Sequence, residues 1–359
     1  MLRFLTAGES HGPCLTAILE GLPAGLRIDA ARVNQELARR QEGFGRGGRM
    51  KIERDRADFL SGIRFGETIG SPITLQIVNA DWVNWETKMA AFGEPVGPAV
   101  TAPRPGHADL DGCQKYDRQD VRDILERASA RETATRVAVG ALCRQLLEQC
   151  GIHVQSRVIA IGGSAEAAGQ EELILAAKEA GDTLGGCFEV TATGMLPGLG
   201  SHIQWDRRLD GKIAAAIVSI PAIKGVEFGA GFTCGTLPGS QVHDEIFYSD
   251  ERGYYRETNR AGGIEGGMSN GEPIVLRAVM KPIPTLTRPL ATVDILSHEA
   301  VGANSERSDV CAVGAAAYVG EAMLCIVLCS ELLTKFSSDS VKDLMESVEY
   351  YKGRLSKSK

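Results

Sequence analysis

The chain has 359 residues, 43% of them hydrophobic, and a formal net charge of −7. That length and apolar content suffice to bury a large core and exclude disorder as the default state. The acidic balance argues against general affinity for nucleic acid or an anionic membrane.

No Pro/Ser-rich linker or low-complexity block divides the sequence, so residues 1–348 read as one domain and 349–359 as a flexible basic tail. The N-terminal residues reach polar Gly8-Glu9-Ser10 without a sustained apolar stretch, so no signal peptide is read and a cytoplasmic location is expected. Nine cysteines are scattered without CxxC pairs, which fits small buried thiols better than a disulfide frame or a zinc site, and no metal is expected.

Along the chain, Gly8-Glu9-Ser10-His11-Gly12 precedes an apolar strand over Leu15–Leu19. The spacing of Val33 and Leu37, with Arg32 and Glu36 on the polar face, predicts a helix from Asp29 to Arg40. Its end delivers Arg39 and Arg40 into a basic segment, where seven cations (Arg39, Arg40, Arg46, Arg49, Lys51, Arg54 and Arg56) face three acids (Glu42, Glu53 and Asp55). Glycines at 43–48 give this loop backbone freedom, and its guanidiniums are planar bidentate donors, the combination needed to close over a multiply anionic ligand. A solvated loop or an RNA-binding Arg-Gly-Gly-Arg tract would share that composition, although one unrepeated copy in an acidic chain is weak evidence for RNA.

A strand follows at Ile73–Val78, and then Arg104-Pro-Gly-His107-Ala-Asp109. His11 and His107 both sit in short glycine-containing segments where an imidazole could transfer a proton near neutral pH. His107 and Asp109 lack a third ligand at metal-site spacing. Ser129 and Glu132 read as a capping box opening a helix with an apolar stripe of Ala134, Val137, Ala138, Ala141 and Leu142. Arg127 and Arg131 flank that helix start, where the dipole is already positive. They could form an anion pocket with Ser129 and free backbone N–H groups, or pair with Asp123, Glu126 or Glu132 on the surface.

Strands are read at Val158–Ile161, Phe188–Ala192 and Ile274–Val279, separated by glycine-rich loops at 194–200, 225–239 and 262–271. The 262–271 loop opens a strand, as suits a backbone turning tightly beside a planar ring. A helix from Val310 to Phe336 is long and apolar enough to be weighed as a membrane span, but its Ala and Gly content and Glu321 favour a core helix. Neither a GxxxxGK[ST] loop nor a dinucleotide fingerprint occurs.

Three segments together resemble the signatures of the chorismate synthases: Gly8-Glu-Ser-His-Gly12, Arg127-Ala-Ser-Ala-Arg131-Glu-Thr, and Arg307-Ser308-Asp309 leading into the Ala-rich helix. The Arg104 to Asp109 segment, Ser219-Ile-Pro-Ala222-Ile-Lys-Gly, the Gly262–Gly271 loop and Lys281-Pro-Ile-Pro-Thr285 follow in family order. The resemblance spans nearly the whole chain without a large insertion, as in the compact bacterial form. It implies an α+β fold, a β-α-β-α sandwich with a large internal sheet core, assembled as a homotetramer.

The resemblance also implies conversion of 5-enolpyruvylshikimate 3-phosphate to chorismate and phosphate by anti 1,4-elimination, the last common step towards aromatic amino acids, with reduced FMN required and no net redox change. By the same resemblance, His11 protonates the reduced flavin, His107 lies near the leaving phosphate and Asp309 lies near the flavin N5. Ser10, Arg40, Arg46, Arg104, Arg131 and Arg307 are implied around the substrate. FMN is implied at Arg40, Arg46, Arg127, Ala128, Ser129, Pro221, Ala222, Gly266, Lys281, Pro282, Ile283, Pro284, Thr285 and Arg307. Ala128, Pro221 and Pro284 stand where other members can carry serine or asparagine, which leaves backbone groups for the cofactor. In the absence of a nicotinamide motif, a separate flavin reductase is the expected partner, with NADPH the alternative direct reductant.

Overall fold

The computed structural model describes residues 2–47, 53–306 and 308–356; Arg49 and Lys51 of the basic segment, and Arg307, lie outside the described residues. Alternating apolar residues build the first sheet. Strand β1 (Arg3–Ala7) pairs antiparallel with β2 (Cys14–Glu20), and β2 pairs with β4 (Ile73–Val78), whose other edge takes the short β3 (Asp58–Phe59). The register sets Leu15 opposite Ile77, Ala17 opposite Leu75 and Leu19 opposite Ile73, and all six are buried on one face.

A second antiparallel sheet runs β5-β6-β8-β7, from β5 (His153–Ile161), β6 (Gly186–Thr193), β7 (Ile223–Phe228) and β8 (Ile274–Met280). Here Phe188 faces Ala278, Val190 faces Leu276 and Ala192 faces Ile274, again all buried. Each strand expected from sequence falls within one of these elements.

The helices are α1 (Ala30–Gln41), α2 (Asp109–Tyr116), α3 (Thr133–Gln149), α4 (Leu209–Val218), α5 (Val313–Lys335) and α6 (Val341–Ser356), with a further helix at Ala167–Ala180. Asp29, read as the first helical residue, instead caps α1, accepting from the N–H of Ala31 at 2.8 Å and of Arg32 at 3.3 Å. Helix α3 packs on the first sheet and α5 on β5 and β6, and the two pack on one another. The α3–α5 pair thus joins the two sheets, giving the expected α+β layering.

Small residues permit this close approach. A Cβ on Gly140 of α3 would lie 2.5 Å from the Cα of Ala322 in α5, and one on Gly320 would lie 2.9 Å from the Phe188 ring. Most of α5 is buried in the protein, although it is long and apolar enough to cross a bilayer. Its single mid-helix acid, Glu321, is 1% exposed. Arg39 at 3.2 Å, the Ser156 hydroxyl at 2.6 Å and Arg144 hold it there as a compensated charge. Burial pushes Arg144 down, but Cys325, Glu36 and Glu321 outweigh it and hold the guanidinium above its ordinary value.

Two local expectations change. The capping box half-forms: a 3-10 turn at Ala130–Glu132 precedes α3, and the Ser129 hydroxyl accepts from Arg131 N–H at 3.3 Å. The Glu132 carboxylate turns instead to Arg136, one helical turn onward, at 2.9 Å, because a charged donor there outcompetes a backbone amide. The tail expected to be flexible is helical through 349–356. Leu344, Val348 and Tyr351 continue an apolar stripe, and Tyr351 packs against Phe336 and donates its hydroxyl to the Pro197 carbonyl at 3.0 Å. Residues 357–359 lie outside the described residues.

The α3–α5 contact yields a paired test. Gly140→Ala should gain about 1 kcal/mol of helix propensity yet destabilise overall, because overpacking against backbone costs about 1–3 kcal/mol and the facing helix cannot retreat. Gly314→Ala, on α5 where an added Cβ meets nothing within 4 Å, should be neutral or stabilising. Urea unfolding of both variants compares them directly.

Candidate active site

The segment opening β2 and the turn before α3 meet through one glutamate. Glu126 follows the short helical turn Arg122–Leu125, and its Oε2 accepts the backbone N–H of His11 at 2.8 Å. Its Oε1 lies 2.9 Å from His11 Nδ1. The carbonyl of Glu126 takes the N–H of Ser10 at 2.9 Å, so Ser10 and His11 are both pinned and both buried. The His11 ring stacks on Trp85 at 3.9 Å between centroids. Burial alone pushes the Glu126 carboxyl up, but hydrogen bonds from His11 and Arg122 outweigh it and hold the group below the usual glutamate range.

Asn79 extends this arrangement towards the arginines. Its Nδ2 donates to the carbonyls of Glu9 and Gly12 at 3.1 and 2.7 Å, and its Oδ1 accepts from Arg131 Nε at 2.9 Å. Arg131 Nη1 then reaches Asp55 Oδ1 at 2.6 Å, while Asp55 Oδ2 lies 3.4 Å from Arg40 Nη1. Arg40 also donates to the Thr133 hydroxyl and the Ala130 carbonyl, each at 3.0 Å. Burial pulls Arg40 down to about 10; Asp55 opposes this and neighbouring Arg131 and Arg46 add repulsion, and the group stays charged at neutral pH. Among the described residues, Arg131 Nη2 is buried without a hydrogen-bond partner, and Glu53 pairs with it as an ion at 3.7 Å.

The described part of the basic loop is docked rather than solvated. Arg46 Nη1 lies 3.0 Å from Asp309 Oδ2, and the N–H of Gly47 donates to Asp309 Oδ1 at 2.5 Å. The Gly45 carbonyl accepts from Val310 N–H at 2.9 Å. A Cβ on Gly47 would sit 2.8 Å from the Ser308 carbonyl oxygen, so glycine is required for this approach.

A second cluster forms around the start of α2. Asp109 is fully buried and takes Arg104 Nε at 2.8 Å and His107 Nδ1 at 2.5 Å. Burial opposes ionisation of Asp109, yet the hydrogen bonds from His107 and Arg104 prevail and hold its carboxyl far below the ordinary value. Arg104 Nη1 donates to the Thr285 hydroxyl at 2.9 Å, and Lys281 Nζ donates to the Gly106 carbonyl. Lys281 N–H in turn donates to the carbonyl of Ala222 at 2.9 Å, where Ala222 adopts a left-handed φ of 68° beside Pro221. The Ile283 carbonyl accepts from Thr183 at 2.7 Å, fixing Lys281 to Thr285, with Pro282 and Pro284, against this cluster. Asn304, through its N–H to the Ala102 carbonyl at 3.1 Å, links it to the 304–309 segment that carries Asp309.

Some predicted residues stand apart. Arg127 and Arg131 do not form one pocket at the helix start, and neither pairs there with Asp123, Glu126 or Glu132. Arg127 donates to the Thr6 and Gly8 carbonyls at 3.0 and 3.2 Å, while Arg131 turns inward to Asp55. Ala128 continues the preceding turn through its N–H to Ile124. Gly266 lies in the hairpin Ile264–Glu265/Met268–Ser269, whose neighbouring bonds run to Leu199 and Leu209. Sequence reasoning missed Asp55, Asn79, Trp85, Arg122 and Glu126 as organisers. Acids inside the basic segment were the one available signal for Asp55.

The Asp109 cluster sets a pH-dependent expectation. Its folded-state carboxyl titrates below the ordinary 3.8, so its contribution to stability is present above about pH 4 and lost as pH falls below that value. Asp109→Asn should therefore destabilise by about 3 kcal/mol near neutrality, with the difference from the parent shrinking below about pH 4. Urea titrations across that range measure it.

The chorismate synthase family model matches residues 2–333. A chorismate synthase of a Sulfurihydrogenibium species is 56% identical, covering 98% of this chain and 98% of its own. That of Geobacter sulfurreducens is 54% identical with the same coverage, and that of Aquifex aeolicus is 53% identical over 98% of this chain and 97% of its own. A crystal structure of a chorismate synthase superposes with a TM-score of 0.80 at 43% identity, covering 99% of this chain and 98% of that one. With the family model, relatives and architecture in agreement, the chain belongs to the chorismate synthase family, lyases of the last step of the shikimate pathway.

Proposed function

We propose that the chain converts 5-enolpyruvylshikimate 3-phosphate to chorismate and phosphate by anti 1,4-elimination, with reduced FMN bound beside the substrate and no net redox change. The observation behind this is a buried group of Arg40, Arg46 and Arg131, fixed by Asp55, Asp309 and Glu53, in which Arg131 Nη2 makes no hydrogen bond among the described residues and only a long 3.7 Å ion pair to Glu53. A buried guanidinium donor that makes no hydrogen bond fits an anionic ligand oxygen, and a substrate with one phosphate and two carboxylates supplies such oxygens. Arg104, and Arg307 outside the described residues, complete the set proposed for the substrate, with Ser10 beside His11.

For FMN, Arg127 to Ser129, Pro221 and Ala222, Gly266, Lys281 to Thr285 and the arginines at 40, 46 and 307 are the proposed holders. When bound, the reduced flavin supplies electron density that eases departure of phosphate. The chain's own residues bind, orient and move protons. His11, buried against Trp85, carries a proton towards the flavin, and His107, with Nδ1 on Asp109, serves the leaving phosphate. Asp309, held by Arg46 and Gly47, is the proposed relay for the proton lost from the substrate. Cytoplasmic location, a homotetramer, and reduction of the flavin by a separate reductase or by NADPH belong to the same proposal.

Anaerobic incubation with 5-enolpyruvylshikimate 3-phosphate and chemically reduced FMN should give equimolar chorismate and phosphate, and oxidised FMN should give neither. Phosphate without chorismate would point to a hydrolase, and salt-sensitive RNA retention without either product would point to the basic loop as an RNA site. His11→Ala and His107→Ala should each lower turnover by about 10²- to 10⁴-fold with folding intact; parental rates in both would remove their roles. Arg46→Ala should weaken substrate more than FMN, as read by separate titrations, and equal losses would take Arg46 off the substrate side.

A further inference from the structure

His11 is held by groups to which the proposed reaction gives no part. A carboxylate can only accept, so Nδ1 at 2.9 Å from Glu126 Oε1 and 3.1 Å from Oε2 must carry hydrogen in both the neutral and the charged ring. The backbone N–H of His11 occupies the same carboxylate, and Trp85 covers the ring face, so neither ring rotation nor tautomer exchange is open without breaking these contacts. Trp85 is itself fixed by Nε1 donating to Asp81 at 3.1 Å.

Arg122 shares the same oxygen. Its Nη1 lies 2.8 Å from Glu126 Oε1 and its Nη2 lies 3.0 Å from Glu306 Oε1, with the guanidinium 4.9 Å from the Trp85 ring centre. Among the described residues, the charged groups around His11 include Glu126 and Arg122 from the 122–126 turn, Glu9 from its own loop, Glu306 behind Arg122, and Lys88 on the Trp85 ring. Glu126 pairs with the ring as an ion partner.

We propose that Glu126 is a positioning residue that fixes His11 as the Nδ1–H tautomer and confines its proton exchange to Nε2, and that Arg122, by sharing Oε1, sets how strongly Glu126 holds the ring. Because Arg122 also grips Glu306, three residues before Asp309, it ties the histidine to the segment bearing the second proton-handling group. This rests on His11 acting as an acid in the proposed reaction, but its test does not need turnover.

Deuterium exchange at Cε1 in the full chain from about pH 5 to about pH 9, followed by digestion and mass spectrometry of the peptide whose one histidine is His11, reports the titration of that ring alone. Glu126→Gln should move the His11 exchange midpoint to lower pH by about one unit, and Arg122→Met should move it to higher pH. With Glu126→Gln, kcat should fall by about 10²-fold with KM nearly unchanged, and Glu126→Asp should recover part of both effects. An unmoved midpoint and parental kcat in Glu126→Gln would overturn the proposal. Should Glu126→Gln fail to fold, Glu126→Asp and Arg122→Met carry the same test, and unmoved midpoints in both would overturn it equally. Predicted midpoint shifts in a chain that makes no chorismate would uphold the positioning role and refute only the reaction.

Discussion

Asp55 is the buried charge on which the site depends. Its two oxygens face guanidiniums from different parts of the chain, Arg131 at the start of α3 and Arg40 at the end of α1. Each arginine is almost inaccessible, and a lone guanidinium in that position would carry a desolvation penalty of several kcal/mol. With Asp55 between them, both remain charged at fixed positions, and Arg131 Nη2 keeps only a long ion pair to Glu53 at 3.7 Å. The carboxylate therefore fixes two buried guanidiniums in place as charged groups.

The same solution recurs at the two histidines. Glu126 holds His11 and Asp109 holds His107, each through Nδ1, and each carboxylate is buried and engaged by an arginine, Arg122 or Arg104. A histidine oriented by a carboxylate keeps one ring nitrogen committed, which defines the other as the one for exchange. Both acids are held ionised despite burial, because charge-assisted hydrogen bonds outweigh the cost of removing the carboxylates from water.

The core supplies the rigidity this geometry needs. Gly140 and Ala322 bring α3 and α5 into backbone contact, and α3 starts at the arginine turn while α5 starts just after Asp309. Tight packing of one helix pair thus sets the spacing between the ends of two functional segments. Glu321, ringed by Arg39, Arg144 and Ser156, ties α5 to α1, α3 and β5 in the same layer.

The sequence by itself determined the strands at Leu15–Leu19 and Ile73–Val78, the helix after Asp29, the core helix around Glu321 and the family, because periodicity, capping residues and ordered motifs are local properties of the chain. It also nominated His11, His107 and the arginines as chemistry-bearing. Only the tertiary structure decided their partners. Asp55 meets Arg131 across 76 residues and Glu126 meets His11 across 115, and no spacing rule reaches that far. The local alternatives for Arg127 and Arg131, a shared pocket or nearby acids, both gave way because a buried acid and exposed strand-end carbonyls offered stronger or nearer acceptors. The tail from Glu349 read as loose because its charges are visible in sequence, whereas the surface that Tyr351 packs against comes from Pro197 and Phe336 and exists only once the chain has folded.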